Sequence, residues 1–342
     1  MRQTSKPQRV LVVGPAWVGD MVMAQSLFMR LRQHDPNVVI DVVAPAWSEA
    51  LLSRMPQVNQ AHHLAVGHGE AGLAKRWALG RALRHCRYDQ AIILPRSAKA
   101  ALIPWLAGIP KRTGYRGEHR YGLINDMRVL DRTRHYRTVD RFVALGDPSG
   151  SISSAIAAQP HLNSTHAQQT AAKSAFDLDH NSGPVLSLCP GAEYGPAKRW
   201  PSEYFAALAR QYLNLGWRVW LLGSAKDTTI TTAISEQAPG VVDLAGRTSL
   251  GQAIDLLAAS DVVVSNDSGL MHVAAATGTA VVALYGSSDP QYTPPLSDRA
   301  QVVYQGLDCS PCFARECPLG HLNCLRGTSV NEVATAVNEA KG

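Results

Sequence analysis

Short apolar runs alternate along this chain with stretches whose apolar residues recur every three or four positions. Residues 10–13, 38–43, 90–94, 185–189, 218–222, 262–264 and 281–284 are rich in Val, Ile and Leu, with little polar alternation. Such runs suit parallel strands buried on both faces. Between them, residues 21–32 put Met21, Ala24, Leu27, Phe28 and Leu31 on one helical face. Further helices are expected from Ala46 and over residues 73–85, 203–215, 250–259 and 329–340, and short segments near 61–64 and 241–244 keep the rhythm. Two successive trains of strand–helix alternation predict an α/β protein with doubly wound sheets.

Residues 262–286 organise the second train. Three valines end abruptly in Ser265-Asn266-Asp267-Ser268-Gly269, then a small-residue helical stretch follows to Thr277. Asp267 or Ser268 can cap that helix. Gly269 lets the backbone approach a guest, and the helix N-terminus offers free N–H groups and partial positive charge. A diphosphate fits there; so does a plain cap with a packing glycine. In the first train, Gly14 to Asp20 matches neither G-x-G-x-x-G nor a Walker A loop, because Asp20 and Met21 stand where Lys and Ser/Thr are needed. Dinucleotide and ATP sites are therefore disfavoured. Ligands of such sheets lie at the carboxyl ends of strands, where residues 14–20 and 95–99 fall.

A length of 342 residues exceeds a usual single core, so two domains are expected. The Ser-, Gly-, Asn-, Gln- and His-rich stretch 146–183 marks the boundary: a domain over residues 1–160, a linker with a leading helix over 161–182, and a domain over 183–342. The polar start and the lack of any 18-residue apolar run lead to a cytoplasmic expectation. Charge is uneven. Residues 1–146 carry 22 Lys/Arg against 10 Asp/Glu, and residues 147–342 carry 11 against 17. The basic half points to an anionic partner, and Lys111 to Arg141 concentrates nine basic residues with Tyr115, Tyr121 and Tyr136. Nucleic acid fits that composition, but no nucleic-acid module is recognisable.

Cys309, Cys312, Cys317 and Cys324 form C-x2-C-x4-C-x6-C around His321. Only one C-x2-C pair is present where a zinc ribbon or knuckle would have two, so reduced, buried or loop-stabilising thiols are preferred over a structural metal. Cys86 and Cys189 read as core.

Three stretches together resemble the ADP-heptose–lipopolysaccharide heptosyltransferase family: Gly19-Asp20-Met21-Val22, Pro190-Gly191-Ala192-Glu193 with Lys198-Arg199-Trp200-Pro201, and Asp267-Ser268-Gly269-Leu270-Met271-His272. The Cys-Ser-Pro-Cys segment with Glu316-Cys317-Pro318 and Gly320-His321 is most similar to the branch that adds the second heptose. The resemblance implies a GT-B fold, two facing Rossmann-like domains with a cleft between them, the acceptor in the N-terminal domain and the nucleotide sugar in the C-terminal one. It implies Asp20 as catalytic base, although Asp20 could instead cap the helix. For the donor it implies Lys198, backbone N–H groups from Ser268 through Gly269 and Leu270 to Met271, and His272 either at the diphosphate or simply buried. Asp267 would fix the loop, and Asp227 is a weaker candidate for sugar or ribose hydroxyls. Arg96, Lys99, Arg116, Arg120 and Arg137 would meet a phosphorylated, once-heptosylated Kdo-lipid A at the cytoplasmic face of the inner membrane. With no D-x-D element, transfer free of metal and cofactor is expected. Another heptosyltransferase of the family, a GT-B nucleotide-sugar epimerase and a nucleic-acid-binding protein stay open, as does the oligomeric state.

Overall fold

Each of the apolar runs becomes a strand of a parallel sheet. The structure, a computed structural model, describes residues 6–66, 72–148, 157–179 and 182–341. The chain divides into two compact units, Met1–Pro160 and His161–Gly342.

The first unit contains β1 (Arg9–Val13), α1 (Val18–His34), β2 (Val39–Ala44), α2 (Glu49–Leu52), β3 (Val58–His63), α3 (Leu73–Ala82), β4 (Gln90–Ile93), α4 (Ala98–Leu106), β5 (Lys111–Tyr115), β6 (Asp126–Arg128) and α5 (Thr138–Gly146). Its sheet runs β3-β2-β1-β4-β5-β6, every pair parallel. Helix α1 packs on α5, and α3 on α4. Right-handed crossovers put helices that follow opposite directions of strand travel on opposite sheet faces.

The second unit contains α6 (His166–Ser174), β7 (Val185–Cys189), α7 (Ser202–Asn214), β8 (Arg218–Leu221), α8 (Thr228–Gln237), β9 (Val242–Asp243), α9 (Leu250–Ala258), β10 (Val262–Asn266), α10 (Gly269–Ala276), β11 (Ala280–Tyr285), β12 (Ala300–Tyr304), α11 (Asn323–Arg326) and α12 (Val330–Lys341). Its order is β12-β11-β10-β7-β8-β9, again all parallel. Counted from its own first strand, each sheet reads 3-2-1-4-5-6, the doubly wound order of Rossmann-like folds. The order reverses between β1 and β4 in one unit and between β7 and β10 in the other. Loops at those two points are where ligands of such sheets bind.

Burial explains why the runs were readable. The β7, β10 and β11 residues are buried throughout, so both faces of those strands need apolar side chains. Helix α7 adds Phe205, Leu208 and Tyr212 to a core with Leu186, Val264, Leu284 and Trp200. A Ser249–Gln252 capping box starts α9.

Three strands lie outside the sequence expectation. β5 and β12 carry polar or exposed positions, and β6 is three half-buried residues at a sheet edge, so none forms an apolar run. Helix α1 begins at Val18, which places Asp20 inside its first turn rather than in the preceding loop. Helix α6 packs on α9 within the second unit. Of the expected boundary region, residues 149–156 and 180–181 lie outside the described residues, as do 1–5, 67–71 and 342.

Candidate active site

The switch point of the second unit is tied together by one amide. Asn266 ends β10 buried, its Oδ1 accepting the Trp200 backbone N–H at 3.0 Å and its Nδ2 donating to the Pro190 carbonyl at 2.7 Å. Both ends of the 190–200 loop are thereby fixed to the end of β10. Trp200 anchors the loop further: its indole N–H donates to the Thr328 carbonyl at 2.9 Å and its ring meets Phe205 edge-on with centroids 4.9 Å apart. Arg199 reaches back to the Ala192 carbonyl at 3.1 Å. The Lys-Arg-Trp-Pro stretch is therefore a lysine on a braced loop.

Lys198 Nζ lies 2.5 Å from Asp267 Oδ2, and the Ser288 hydroxyl donates to the same oxygen at 2.5 Å. Asp267 itself is buried, its N–H donating to the Leu284 carbonyl. Lys198 Nζ is also 5.1 Å from the Tyr194 ring centroid, and the Arg315 guanidinium is 5.2 Å from the same centroid. Two cations thus share one ring beside the start of α10, and cation–π contact orders both.

Ser268 precedes α10, yet its side chain makes no capping bond; its hydroxyl is 3.3 Å from that of Ser265. Ser268 thus leaves the first N–H groups of α10 uncapped, and a helix N-terminus favours an anion. Ser268, Gly269 and Leu270 are half-buried, while Met271 is buried, its sulfur accepting the Tyr285 hydroxyl at 3.4 Å. His272 is buried one turn in, its pKa pushed down to about 4 chiefly by burial, with the charge of Lys198 adding and that of Asp267 opposing. Its imidazole is neutral at pH 7. Asp227, the weaker candidate for sugar or ribose hydroxyls, is engaged within its own turn. Its Oδ2 accepts the Ser224 N–H at 2.9 Å and Oγ–H at 2.8 Å, and a Cβ on Gly191 would lie 2.4 Å from its Oδ1. Asp227 shapes the turn beneath the 190–200 loop.

In the first unit, the loops after β1 and β4 meet at the other switch point, where Leu94 N–H donates to the Val13 carbonyl at 3.1 Å. Asp20 is half-buried in the first turn of α1, where a carboxylate complements the helix dipole. After β4 come exposed Arg96 and half-buried Lys99, and after β5 exposed Arg116, whose carbonyl accepts an Arg96 N–H at 3.1 Å. Asp20, Arg96, Lys99 and Arg116 therefore share the carboxyl edge of adjacent strands.

The basic stretch 111–141 divides on inspection. Arg120 is 1% exposed and donates to the carbonyls of Pro95 at 2.6 Å, Ser97 at 3.4 Å and Tyr115 at 2.5 Å. Its Nε is buried without a partner, and burial pulls its pKa down to about 10. Arg120, expected to meet the acceptor, gives its donors to the loops that carry Arg96 and Arg116. Arg112, Arg128 and Arg141 likewise donate to backbone carbonyls, and Arg137 forks onto Asp140 at 2.8 and 2.7 Å.

The cysteine segment braces the other site. Phe313 N–H donates to the Ser287 carbonyl at 2.7 Å, Ala197 N–H to the Arg315 carbonyl at 3.0 Å, and Tyr194 O–H to the Phe313 carbonyl at 2.6 Å. Cys309 and Cys312 are exposed thiols, Cys317 is half-buried and Cys324 is buried. Backbone N–H groups, that of Leu322 foremost, draw the Cys317 pKa down. Among the described residues, no group of three or more His, Cys, Asp or Glu is arranged to hold a metal ion. Sequence reasoning missed Tyr194, Asn266, Ser288 and Arg315 as site residues, because the contacts Asn266–Pro190, Ser288–Asp267 and Tyr194–Arg315 join residues far apart in the chain.

Residues 76–323 match the model of glycosyltransferase family 9 (heptosyltransferase). The chain belongs to this family. It is 49% identical over 305 residues to lipopolysaccharide heptosyltransferase 2 of Salmonella typhimurium, covering 86% of this chain and 87% of that one. Lipooligosaccharide heptosyltransferase 2 of Haemophilus influenzae is 44% identical over 305 residues, covering 86% and 88%. The solved E. coli ADP-heptose lipopolysaccharide heptosyltransferase II superposes with a TM-score of 0.87 at 42% identity, covering 98% of each chain. Family membership makes the protein a glycosyltransferase with the two parallel-sheet units of the GT-B class.

Proposed function

We propose that this family 9 glycosyltransferase moves L-glycero-D-manno-heptose from ADP-heptose to heptosyl-Kdo2-lipid A, adding the second heptose of the lipopolysaccharide inner core with inversion at C1. The relatives named heptosyltransferase 2 support the acceptor, spanning most of the chain at up to 49% identity. The observation that carries the chemistry is Lys198 held by Asp267 at the start of α10.

The unit from His161 onward takes the donor, its diphosphate between Lys198 and the α10 N–H groups, with Asp267 and Ser288 orienting the lysine. The unit ending at Pro160 takes the acceptor, with Arg96, Lys99 and Arg116 toward its phosphates and Kdo carboxylates. The acceptor hydroxyl oxygen forms a bond to C1 as the bond from C1 to the ADP oxygen breaks, and that electron pair leaves on the diphosphate. Asp20 accepts the hydroxyl proton as general base. Lys198 and the helix N-terminus meet the charge developing on the leaving group, a preorganised stabilisation needing no reorganisation during the step. No residue of this scheme calls for a divalent ion. The enzyme works at the cytoplasmic face of the inner membrane.

ADP release should be followed with Kdo2-lipid A and its mono-heptosylated form side by side, with and without EDTA. Turnover is expected with the heptosylated acceptor alone and unchanged by EDTA. Asp20→Asn should lower kcat by roughly 10²–10⁴-fold, the usual contribution of a general base. Turnover on the unheptosylated acceptor would overturn the second-heptose reading, and a near-normal kcat for Asp20→Asn would remove Asp20 as base.

A further inference from the structure

Helices α3 and α4 of the first unit lie so close that a Cβ on Gly80 would come within 2.6 Å of the Leu106 Cβ. Arg76 donates to the Lys99 carbonyl at 3.3 Å and Arg84 to the Leu106 carbonyl at 2.8 Å, so the helices run parallel with their N-terminal ends level. Leu83, Ala100, Ala101 and Ile103 face inward to the core. The outward face is strongly apolar: Leu73 is 60% exposed, Trp77 52% and Trp105 48%. Leu73, Trp77, Arg81 and Arg84 follow spacings of four, four and three, which puts them in one stripe. Large apolar side chains exposed in this way on neighbouring helices mark an interaction surface.

Charge identifies the partner. From Gly72 to Tyr88 there are five basic residues and no acidic one, and residues 98–110 add Lys99 and again no acid. The Arg81 guanidinium lies over the Trp77 ring at 4.9 Å. Indole rings beside arginine are what a bilayer headgroup layer selects: the rings sit at the polar boundary and the cations meet lipid phosphates. We propose that the outer α3–α4 face docks the protein on an anionic lipid bilayer, with Leu73, Trp77 and Trp105 at the headgroup boundary and Arg81 and Arg84 against phosphates. The proposal rests on the lipid-borne acceptor of the reading above. It also deepens it, because the level N-terminal ends of both helices open on the sheet edge that carries Asp20, Arg96 and Lys99.

The test is flotation of the full chain with phosphatidylcholine vesicles, with and without phosphatidylglycerol, for the parent, Trp77→Ser/Trp105→Ser and Arg81→Glu/Arg84→Glu. Binding is expected only to the anionic vesicles, and each double variant should weaken it roughly tenfold or more. Turnover of an acyl-free heptosylated acceptor should stay at the parent level, while turnover of vesicle-borne acceptor falls with binding. Unchanged flotation of both variants would overturn the docking face and leave heptosyl transfer standing. A dimer in the parent that the tryptophan variant dissolves, with vesicle binding intact, would assign the face to self-association instead. Absence of turnover with any acceptor, alongside variant-sensitive flotation, would sink the transfer reading and keep the docking.

Discussion

His272 is buried one turn into α10, within the influence of both Lys198 and Asp267. Burial makes its protonation costly, and its pKa is pushed down to about 4 in the fold from the 6.5 of an unperturbed histidine. Between those values the unfolded chain binds a proton that the folded chain does not, so stability falls as pH drops through that window. Above pH 6.5 the contribution is complete; below about pH 4 it is gone. A shift of this size corresponds to on the order of 3 kcal/mol. Replacing His272 by Gln should flatten the pH dependence of thermal unfolding between pH 6.5 and 4, compared with the parent. An acid limb as steep in the variant as in the parent would show that another group sets it. The sequence placed His272 near the diphosphate site but left its state open, since burial of a helix residue depends on what packs over it.

At the scale of elements, legibility followed burial. Strands buried on both faces wrote themselves as valine and leucine runs, and the Asp267-Ser268-Gly269 turn was readable because strand end, cap and glycine are adjacent in sequence. β5 and β6 were hidden inside the stretch that looked like a basic surface. The reason is chemical: composition records a guanidinium but not whether its N–H groups point to solvent or to carbonyls. Arg120 is the clearest case, with donations to Pro95, Ser97 and Tyr115 that join the loop after β4 to the end of β5. Arg120→Met keeps the apolar stem and removes every donor, leaving buried carbonyls unpaired at a cost of about 1–3 kcal/mol for each one that water cannot reach. Denaturant unfolding should therefore show a loss of several kcal/mol, roughly 2–4, with activity lost as the loop loosens. A variant as stable as the parent, but with a raised KM for acceptor, would return Arg120 to the acceptor contacts.

Over the whole molecule, the two sheets repeat one strand order, but their charges diverge. Residues 1–146 are net positive by 12 and residues 147–342 net negative by 6. The structure narrows the meaning of that positive surplus, since Arg112, Arg120, Arg128 and Arg141 spend donors on backbone carbonyls and Arg137 pairs with Asp140. What still reaches solvent includes Arg96 and Arg116 at the sheet edge and Arg81 and Arg84 on the α3–α4 side, Arg96 and Arg84 being exposed although each gives one donor to a carbonyl. Exposed charges act over a Debye length, about 10 Å at 0.1 M salt and about 3 Å at 1 M. Attraction to an anionic, lipid-borne acceptor should thus fade as salt rises, and should do so through KM rather than kcat, because the role proposed for Lys198 in bond-breaking rests on a partly buried ion pair with Asp267, which salt screens less. Steady-state rates on vesicle-borne acceptor, measured from low to high sodium chloride, should show KM rising several-fold with kcat nearly constant. On an acyl-free acceptor with fewer anionic groups the rise should be smaller. A KM indifferent to ionic strength on both acceptors would mean that the basic half recognises its partner by shape and hydrogen bonds, with long-range charge playing no part.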